Sequence, residues 1–300
     1  MKHGHAGFAT LARQVRLHGE LVTHTPLRIG GGRSYDAIGD DLPVVKDTLG
    51  RPVIPGSSLK GALRAYTETL LRTLKSVVQS SEKQKLSCYP LTEPCLSNDE
   101  VAAIKQEEDA DSKLWEKSCW TCRLFGAPWL ASRVLVKDLT VRKATWLDEF
   151  GHRDGVSINR DKGTAQSQKR YTFELVPEKT AFDFDLVVDG ASDAELGLFL
   201  LALNGANNGQ ILLGGARSRG LGDIVLNVEW NAVEEITPSN ALEVLGNRVT
   251  GGTVPTTTWS IERRDGLVPA FFHAIDLPEA LIKRWQATRV HGGKETNDAE

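Results

Sequence analysis

"RQVRLHGELVTHTPLRIGG" (residues 13–31) sets how the chain begins to fold. Val15, Leu17, Leu21 and Val22 alternate with polar side chains, the pattern of a half-buried β-strand running into a glycine turn. "PVVKD" (43–47) and "RPVIPG" (51–56) continue as short extended pieces, because Pro52 and Pro55 discourage helix. In "GSSLKGALRAYTETLLRTLKSVVQ" (56–79) the period changes. Leu59, Leu63, Tyr66, Leu70, Leu74 and Val77 recur every three or four residues, which predicts an amphipathic helix with Ser57 or Ser58 as its N-cap.

Outward from this start, residues 80–127 break the pattern and read as an insertion apart from the core. "SRVLVKDLTVRKATW" (132–146) returns to strand-like alternation. "LDEFGHRDGVSINRDKGTAQSQKR" (147–170) is too hydrophilic for a core, and "YTFELVPEKTAFDFDLVVD" (171–189) alternates on both sides of Pro177 like a hairpin. Ser192 and Glu195 form a capping box ahead of "LGLFLLALNG", a short buried helix closed at Asn204-Gly205. "QILLGGARSRGLGDIVLNVEW" (210–230) reads as strand, glycine loop, strand. Residues 231–300 are weakly patterned, and "ATRVHGGKETNDAE" (287–300) reads as a mobile tail. The order predicts an α+β protein close to the ferredoxin-like βαββαβ unit, with helices on one side of a mostly antiparallel sheet. Such a sheet often serves as an RNA platform, though a fold does not establish a function.

The 300 residues are 40% hydrophobic, enough to bury a substantial core. With 36 basic and 39 acidic residues the net charge is −3, which excludes a histone-like polycation and leaves room for a local basic groove. No apolar run reaches the ~20 residues of a membrane span, and the first residues lack a signal-peptide pattern. Together with the low cysteine content, this predicts a cytoplasmic protein with reduced thiols.

Chemistry concentrates in four places. "RIGGGRSYDAIGDDLPVVKD" (28–47) sets Asp36, Asp40 and Asp41 beside a bare backbone, as a phosphate cradle, a metal site or a polar turn. "LLGGARSRGLGD" (212–223) spaces glycines around Arg217 and Arg219, which suits phosphate contacts or, equally, a tight strand connection. Neither stretch fits the dinucleotide or Walker patterns. Cys88, Cys95, Cys119 and Cys122 match the tetrahedral demand of structural Zn²⁺; a redox CxxC is the rival, without a thioredoxin-like context. The polar excursion is locally basic, with Arg153, Arg160, Lys162, Lys169 and Arg170 against Asp154 and Asp161, as in a phosphate-following arm or a solvated loop. The histidines show no metal-ligand spacing.

"RIGGGRSYDAIGDDLPVVKDTLGRPVIPGSSLKGALR", then "SINRDKGTAQSQKRYTFELVPEKTAFDFDLVV" and "LLGGARSRGLGDI", resemble the repeat-associated mysterious protein (RAMP) superfamily. Within it they are most similar to backbone subunits of type III CRISPR effector complexes. The resemblance spans roughly residues 12–228. It implies an RRM-like core, here over 1–230, and a β-hairpin thumb at 147–176, while the cysteines make 80–127 a zinc-bearing insertion. Residues 231–300 form an extension of unknown fold. It further implies partners: guide RNA, target RNA and adjacent RAMP subunits, with thumbs wedged into the guide–target duplex. An aspartate just before the Pro43-Val44 pair cuts target RNA in cleaving members, which points to Asp41, with Asp40 second and Asp36 third. Arg28 stands where the family often has histidine, a departure that keeps a polar RNA contact. RNA contacts are expected from Arg28, Gly31, Gly32, Ser57, Ser58, Lys60, Arg64, Arg160, Lys162, Lys169, Arg170, Gly214, Gly215, Arg217, Arg219 and Gly220. Ser57, Ser58 and Lys60 lie at a helix N-terminus, where phosphate is favoured.

No Ser–His–Asp set or histidine pair is evident, so the RNA's own 2′-hydroxyl is the expected nucleophile. Asp41 would then position Mg²⁺ or a similar divalent cation. Two further readings stand beside this one: a non-catalytic RNA-binding scaffold of the same complex, and a stand-alone metal-dependent processing ribonuclease.

Overall fold

The computed structural model describes residues 12–33, 41–78 and 86–292. Asp36 and Asp40 lie outside the described residues, as do the side chains of Lys169 and Arg170. β1 (Gln14–Thr23) leads through β2 (Val53–Ile54) into α1 (Gly56–Leu74). The short helices α2 (Asn98–Ile104), α3 (Ala110–Lys117) and α4 (Trp120–Phe125) precede β3 (Val134–Val136) and β4 (Leu139–Val141). The hairpin β5 (Gly151–Asn159) and β6 (Thr164–Leu175) follows, then β7 (Ala181–Asp189), α5 (Asp193–Asn207), β8 (Ile224–Val228) and β9 (Glu234–Ile236). The last described elements are α6 (Ala241–Thr250), α7 (Ile261–Ala274) and α8 (Glu279–Gly292).

The main sheet runs β2-β4-β7-β1-β8, with β3 also on β7 and β9 also on β1. Every pairing is antiparallel. Through this sheet the succession β1-α1-β4-β7-α5-β8 is a βαββαβ order. The register sets Leu17 opposite Leu186 and Leu21 opposite Phe182, so both central strands turn their apolar sides the same way. On that side Leu59, Leu63 and Leu71 of α1 and Leu196, Phe199 and Leu203 of α5 close one core. Each such side chain contributes roughly 2 kcal/mol on burial.

The opposite face of the sheet is a lattice of paired charges. Arg16 pairs with Asp185, Lys137 reaches the same carboxylate at 2.5 Å, Arg142 meets Glu20 at 2.5 Å, and His18 approaches Glu234 at 3.3 Å. Burial pushes the Asp185 carboxyl up, but hydrogen bonds from Arg16 and Lys137 outweigh it and bring its pKa down to about 2. No Phe, Tyr or Trp of β1 or β7 stands on this face. The central strands therefore offer no ring for stacking a base there, which departs from the usual RNA platform of such sheets.

Several local expectations are corrected. α1 is capped by Pro55 without a side-chain cap, not by Ser57 or Ser58. The hairpin is β5 with β6, not the two halves of 171–189, because β7 is taken by β1 while Pro177 lies at the break. α5 realises the Ser192–Glu195 capping box and runs through Gly205 to Asn207; Tyr66 of α1 fills the space that a Cβ at Gly205 would need. Trp120, Leu124 and Phe125 of α4 belong to the main core, so the second cysteine pair is anchored in the body of the protein. In the weakly patterned C-terminal segment, Trp259, Leu267, Phe271 and Phe272 join the same core, and Phe271 meets Trp120 edge-on at 5.4 Å. Residues 287–292, read as tail, are the end of α8.

Candidate nucleic-acid interface and cysteine centre

The two glycine stretches meet at Arg28. The Gly215 N–H donates to the Arg28 carbonyl at 2.7 Å. Gly214 takes φ +80°, and a Cβ there would run into that same carbonyl, so only glycine lets the two segments close up. The Arg28 guanidinium lies over the Phe173 ring, 5.6 Å from its centre. Gly30 and Gly215 make room for it: a Cβ at either would stand 3.3 or 3.2 Å from a guanidinium nitrogen. The bare backbone thus accommodates an arginine.

A second set of bonds brings Asp41 to the same place. The Gly31 N–H donates to the Pro43 carbonyl and the Val45 N–H to the Ile29 carbonyl, both at 2.9 Å, folding 43–45 along 29–31. The base of β6 holds the incoming loop from the other side. Asp41 Oδ2 accepts the Thr172 backbone N–H at 2.9 Å, and the Asp41 N–H donates to Thr172 Oγ1 at 3.3 Å. Glu174 accepts the Val44 N–H at 3.1 Å and Lys46 Nζ at 2.8 Å. The result is a cleft of about 520 Å³ lined by Arg28, Arg33, Asp41, Tyr171, Phe173 and Arg219, among others. Tyr171 stacks on Phe173 at 6.1 Å, and Arg219 donates to the Tyr171 hydroxyl at 2.9 Å.

The remaining residues singled out in the sequence lie elsewhere. Ala216 and Gly220, both left-handed at φ 56° and 81°, bracket the 3-10 turn Arg217–Arg219 and part its arginines. Arg219 lines the Asp41 cleft, whereas Arg217 lines a smaller one of about 230 Å³ with Tyr66 and Gln210. Gly32 and Gly220 are exposed. Ser57, Ser58 and Lys60 sit near the start of α1, outside the Asp41 cleft, where Asp138 already accepts the Gly56 N–H at 2.8 Å. Burial, reinforced by the nearby Arg64, lowers the Lys60 pKa. Arg64 points away from the cleft, donating to Glu68 and to the Gly126 carbonyl, each at 2.9 Å. Arg160 and Lys162 are exposed at the hairpin tip, about 24 Å along β6 from Tyr171. Sequence reasoning passed over Arg33, Tyr171, Thr172 and Phe173. The i, i+2 aromatic pair directly after the basic run "QKR" was the available signal.

The four cysteines gather into one centre, their Sγ atoms all within 4.8 Å of one another. Cys88 and Cys122 approach to 3.6 Å, the Cys119 N–H donates to Cys95 Sγ at 3.2 Å, and all four are free thiols. Cys119 caps α4 and Cys122 lies in its first turn, while Arg72 of α1 fixes the other pair by donating to the Cys88 carbonyl at 2.8 Å. The crowded sulfurs cannot share charge evenly. Hydrogen bonding from Cys122 pulls the Cys119 pKa far down, and the reciprocal bond from Cys119 pushes Cys122 far up. A divalent ion bound by all four thiolates removes that conflict, and four soft donors at this spacing are compatible with zinc.

Residues 20–225, from β1 into β8, match the RAMP superfamily. The chain belongs to the RAMP superfamily. The matched span of this RAMP chain encloses both the Asp41 cleft and the cysteine centre, and stops short of α6–α8. The chain is similar to the CRISPR system Cms endoribonuclease Csm3 of Streptococcus thermophilus, 28% identical over 232 residues, 70% of this chain and 86% of that protein. Shorter matches join it to proteins of the same name from two other organisms. In Methanocaldococcus jannaschii it is 47% identical over 60 residues, 20% of this chain and 24% of the relative. In Mycobacterium tuberculosis it is 45% identical over 69 residues, 20% and 29% of the two lengths. Among its described residues, no helix is long and apolar enough to cross a membrane.

Proposed function

We propose that the chain is a guide-RNA-binding backbone subunit of a type III CRISPR effector complex and that it cuts target RNA at the Asp41 cleft. One observation carries this reading: a carboxylate fixed by the Thr172 N–H shares a cleft with Arg28, Arg33 and Arg219. Guanidinium groups suit the phosphates of a polyanion, and the carboxylate is the group that such a cleft would need for chemistry rather than for grip alone. Similarity to a protein named as an endoribonuclease, over most of that protein's length, supports the same class of activity. Neighbouring RAMP subunits are the proposed protein partners. The exposed hairpin ending in Arg160 and Lys162 is the proposed thumb along the guide–target duplex.

The target's 2′-hydroxyl is the proposed nucleophile. Its oxygen bonds to the adjacent phosphorus as the P–O5′ bond breaks; the hydroxyl proton is given up to water and the 5′-oxygen takes one from water. The products end in a 2′,3′-cyclic phosphate and a 5′-hydroxyl. Arg33 and Arg219 hold flanking phosphates, and the Tyr171–Phe173 pair offers a ring to a displaced base. Asp41 lends one carboxylate to a hard divalent cation such as Mg²⁺, a fit that requires phosphate and water as the other ligands. When bound, that ion stabilises the leaving oxygen. Asp40 and Asp36 are second and third candidates for the same duty. The ion proposed for the four cysteines is zinc in a structural role, because no ligand position stays open.

In a reconstituted complex, Asp41→Ala is expected to slow target cleavage by at least about 10²-fold while target affinity is kept. A target with 2′-deoxy sugars at the cut positions is expected to be bound and left intact, and its cleavage would overturn the mechanism. The second reading, a scaffold without catalysis, draws on the pair of Asp41–Thr172 hydrogen bonds, which already give the carboxylate a structural task. Undiminished cleavage by the Asp41→Ala complex, or none by the wild type, would favour it.

A further inference from the structure

Among the cleft's arginines, Arg28 is held in a way that Arg219 is not. Arg219 stands on an exposed turn and already donates to the Tyr171 hydroxyl. Arg28 Nε is buried and finds no acceptor among the described residues. Yet its guanidinium has a defined seat: the Gly215 N–H clasps the Arg28 backbone carbonyl, the guanidinium lies over Phe173, and the missing side chains of Gly30 and Gly215 leave it room. An arginine that only braces the fold is ordinarily paired, because an unmatched buried donor costs free energy. An arginine placed accurately and left without an acceptor is poised for an anion that arrives from outside. Arg28 and Asp41 line the same cleft.

We propose that Arg28 is a catalytic residue that donates to the non-bridging oxygens of the scissile phosphate. The proposal rests on the cleavage reading above. As the 2′-oxygen bonds to phosphorus and before the P–O5′ bond has broken, negative charge gathers on those oxygens. A guanidinium already seated over the Phe173 ring meets that charge without reorganising. A guanidinium offers N–H donors and no acceptor. It therefore acts by charge and hydrogen bonding and takes no part in moving the hydroxyl proton.

The test is single-turnover cleavage by reconstituted complexes, with guide content, target affinity and thermal stability measured in parallel. Arg28→Ala and Arg28→Gln are expected to slow cleavage about 10²-fold with guide content unchanged and target affinity within about threefold. Arg28→Lys is expected to recover part of the rate, as a point charge without the planar fork. Targets with one non-bridging oxygen at the cut site replaced by sulfur provide a readout that a structural role would not move. The wild type is expected to distinguish the two sulfur diastereomers, and Arg28→Ala to lose that distinction. Wild-type cleavage with an unchanged Arg28→Ala rate, or a variant that instead loses its guide RNA, would overturn the assignment while leaving the cleavage reading intact. A wild-type complex that cuts no target would bring down the cleavage reading, and the role of Arg28 with it.

Discussion

The cysteine centre and the Asp41 cleft are assembled on opposite plans. The four thiols come from two pairs within one segment, Cys88 to Cys122, and converge because α4 carries one pair while Arg72 ties the other to α1. The cleft draws on four separate segments, around Arg28, Asp41, Tyr171 and Arg219, and holds together by backbone hydrogen bonds between glycine loops and a hairpin base. The first is a local cluster that could hold an ion. The second is a preorganised surface that exists only once distant strands have paired. It follows that damage to the first should appear mainly as lost stability, and damage to the second mainly as lost activity.

The largest expected stability effect is at the cysteines. Cys119→Ser removes one of four ligands and is expected to cost about 3–5 kcal/mol, or roughly 10 °C in Tm for a chain of this size. Elemental analysis should find one bound zinc per wild-type chain, a much lower content in Cys119→Ser and an unchanged content in Asp41→Ala. Equal metal content in all three would break the contrast. Next comes Gly214→Ala, which forces a side chain into a left-handed position against the Arg28 carbonyl. A loss of about 2–3 kcal/mol in urea unfolding is expected, together with slower cleavage, because Arg28 loses its clasp. Stability lost without any change in rate would show that the clasp is merely architectural.

The smallest effect lies in neither centre, on the charged face of the sheet. Asp185 has a folded pKa of about 2, below its ordinary 3.8. A carboxylate whose pKa is depressed on folding stabilises the protein fully above its unfolded value and loses that contribution as pH falls through the folded one. The difference in urea midpoint between wild type and Asp185→Asn should therefore hold above about pH 4 and shrink towards pH 2. A difference that grew on acidification would contradict the pairing with Arg16 and Lys137. Cleavage should not respond to this substitution, since Asp185 faces away from the helices and does not line the Asp41 cleft.

Much of this molecule is legible in the chain itself. Alternation at Val15 and Leu17, the three-to-four spacing that starts at Leu59 and Leu63, and the Ser192–Glu195 box each act over a few residues, so they mark β1, α1 and α5 directly. Cysteine number and spacing pointed to a four-thiol cluster that could hold a metal for the same reason. What misled was equally local: Ser57 looks like a cap because of its type, yet Pro55 and the Asp138 carboxylate occupy the helix start. Pro177 between two alternating runs suggests a turn, yet the two strands go to different sheets.

Glycine density, basic stretches and the order of elements were thus determined by the sequence alone, because each depends on neighbours a few positions apart. Only the folded chain decided that Arg28 lies over Phe173, that Arg217 and Arg219 face different clefts, and that Arg64 lines a cleft with Cys88 and Cys122. Those outcomes rest on contacts between distant segments, 62 residues apart for Arg64 and Gly126 and, in the same cleft as Arg28, 131 apart for Asp41 and Thr172. A one-residue slip in strand register would send alternate side chains to the other face, and no local pattern encodes that choice.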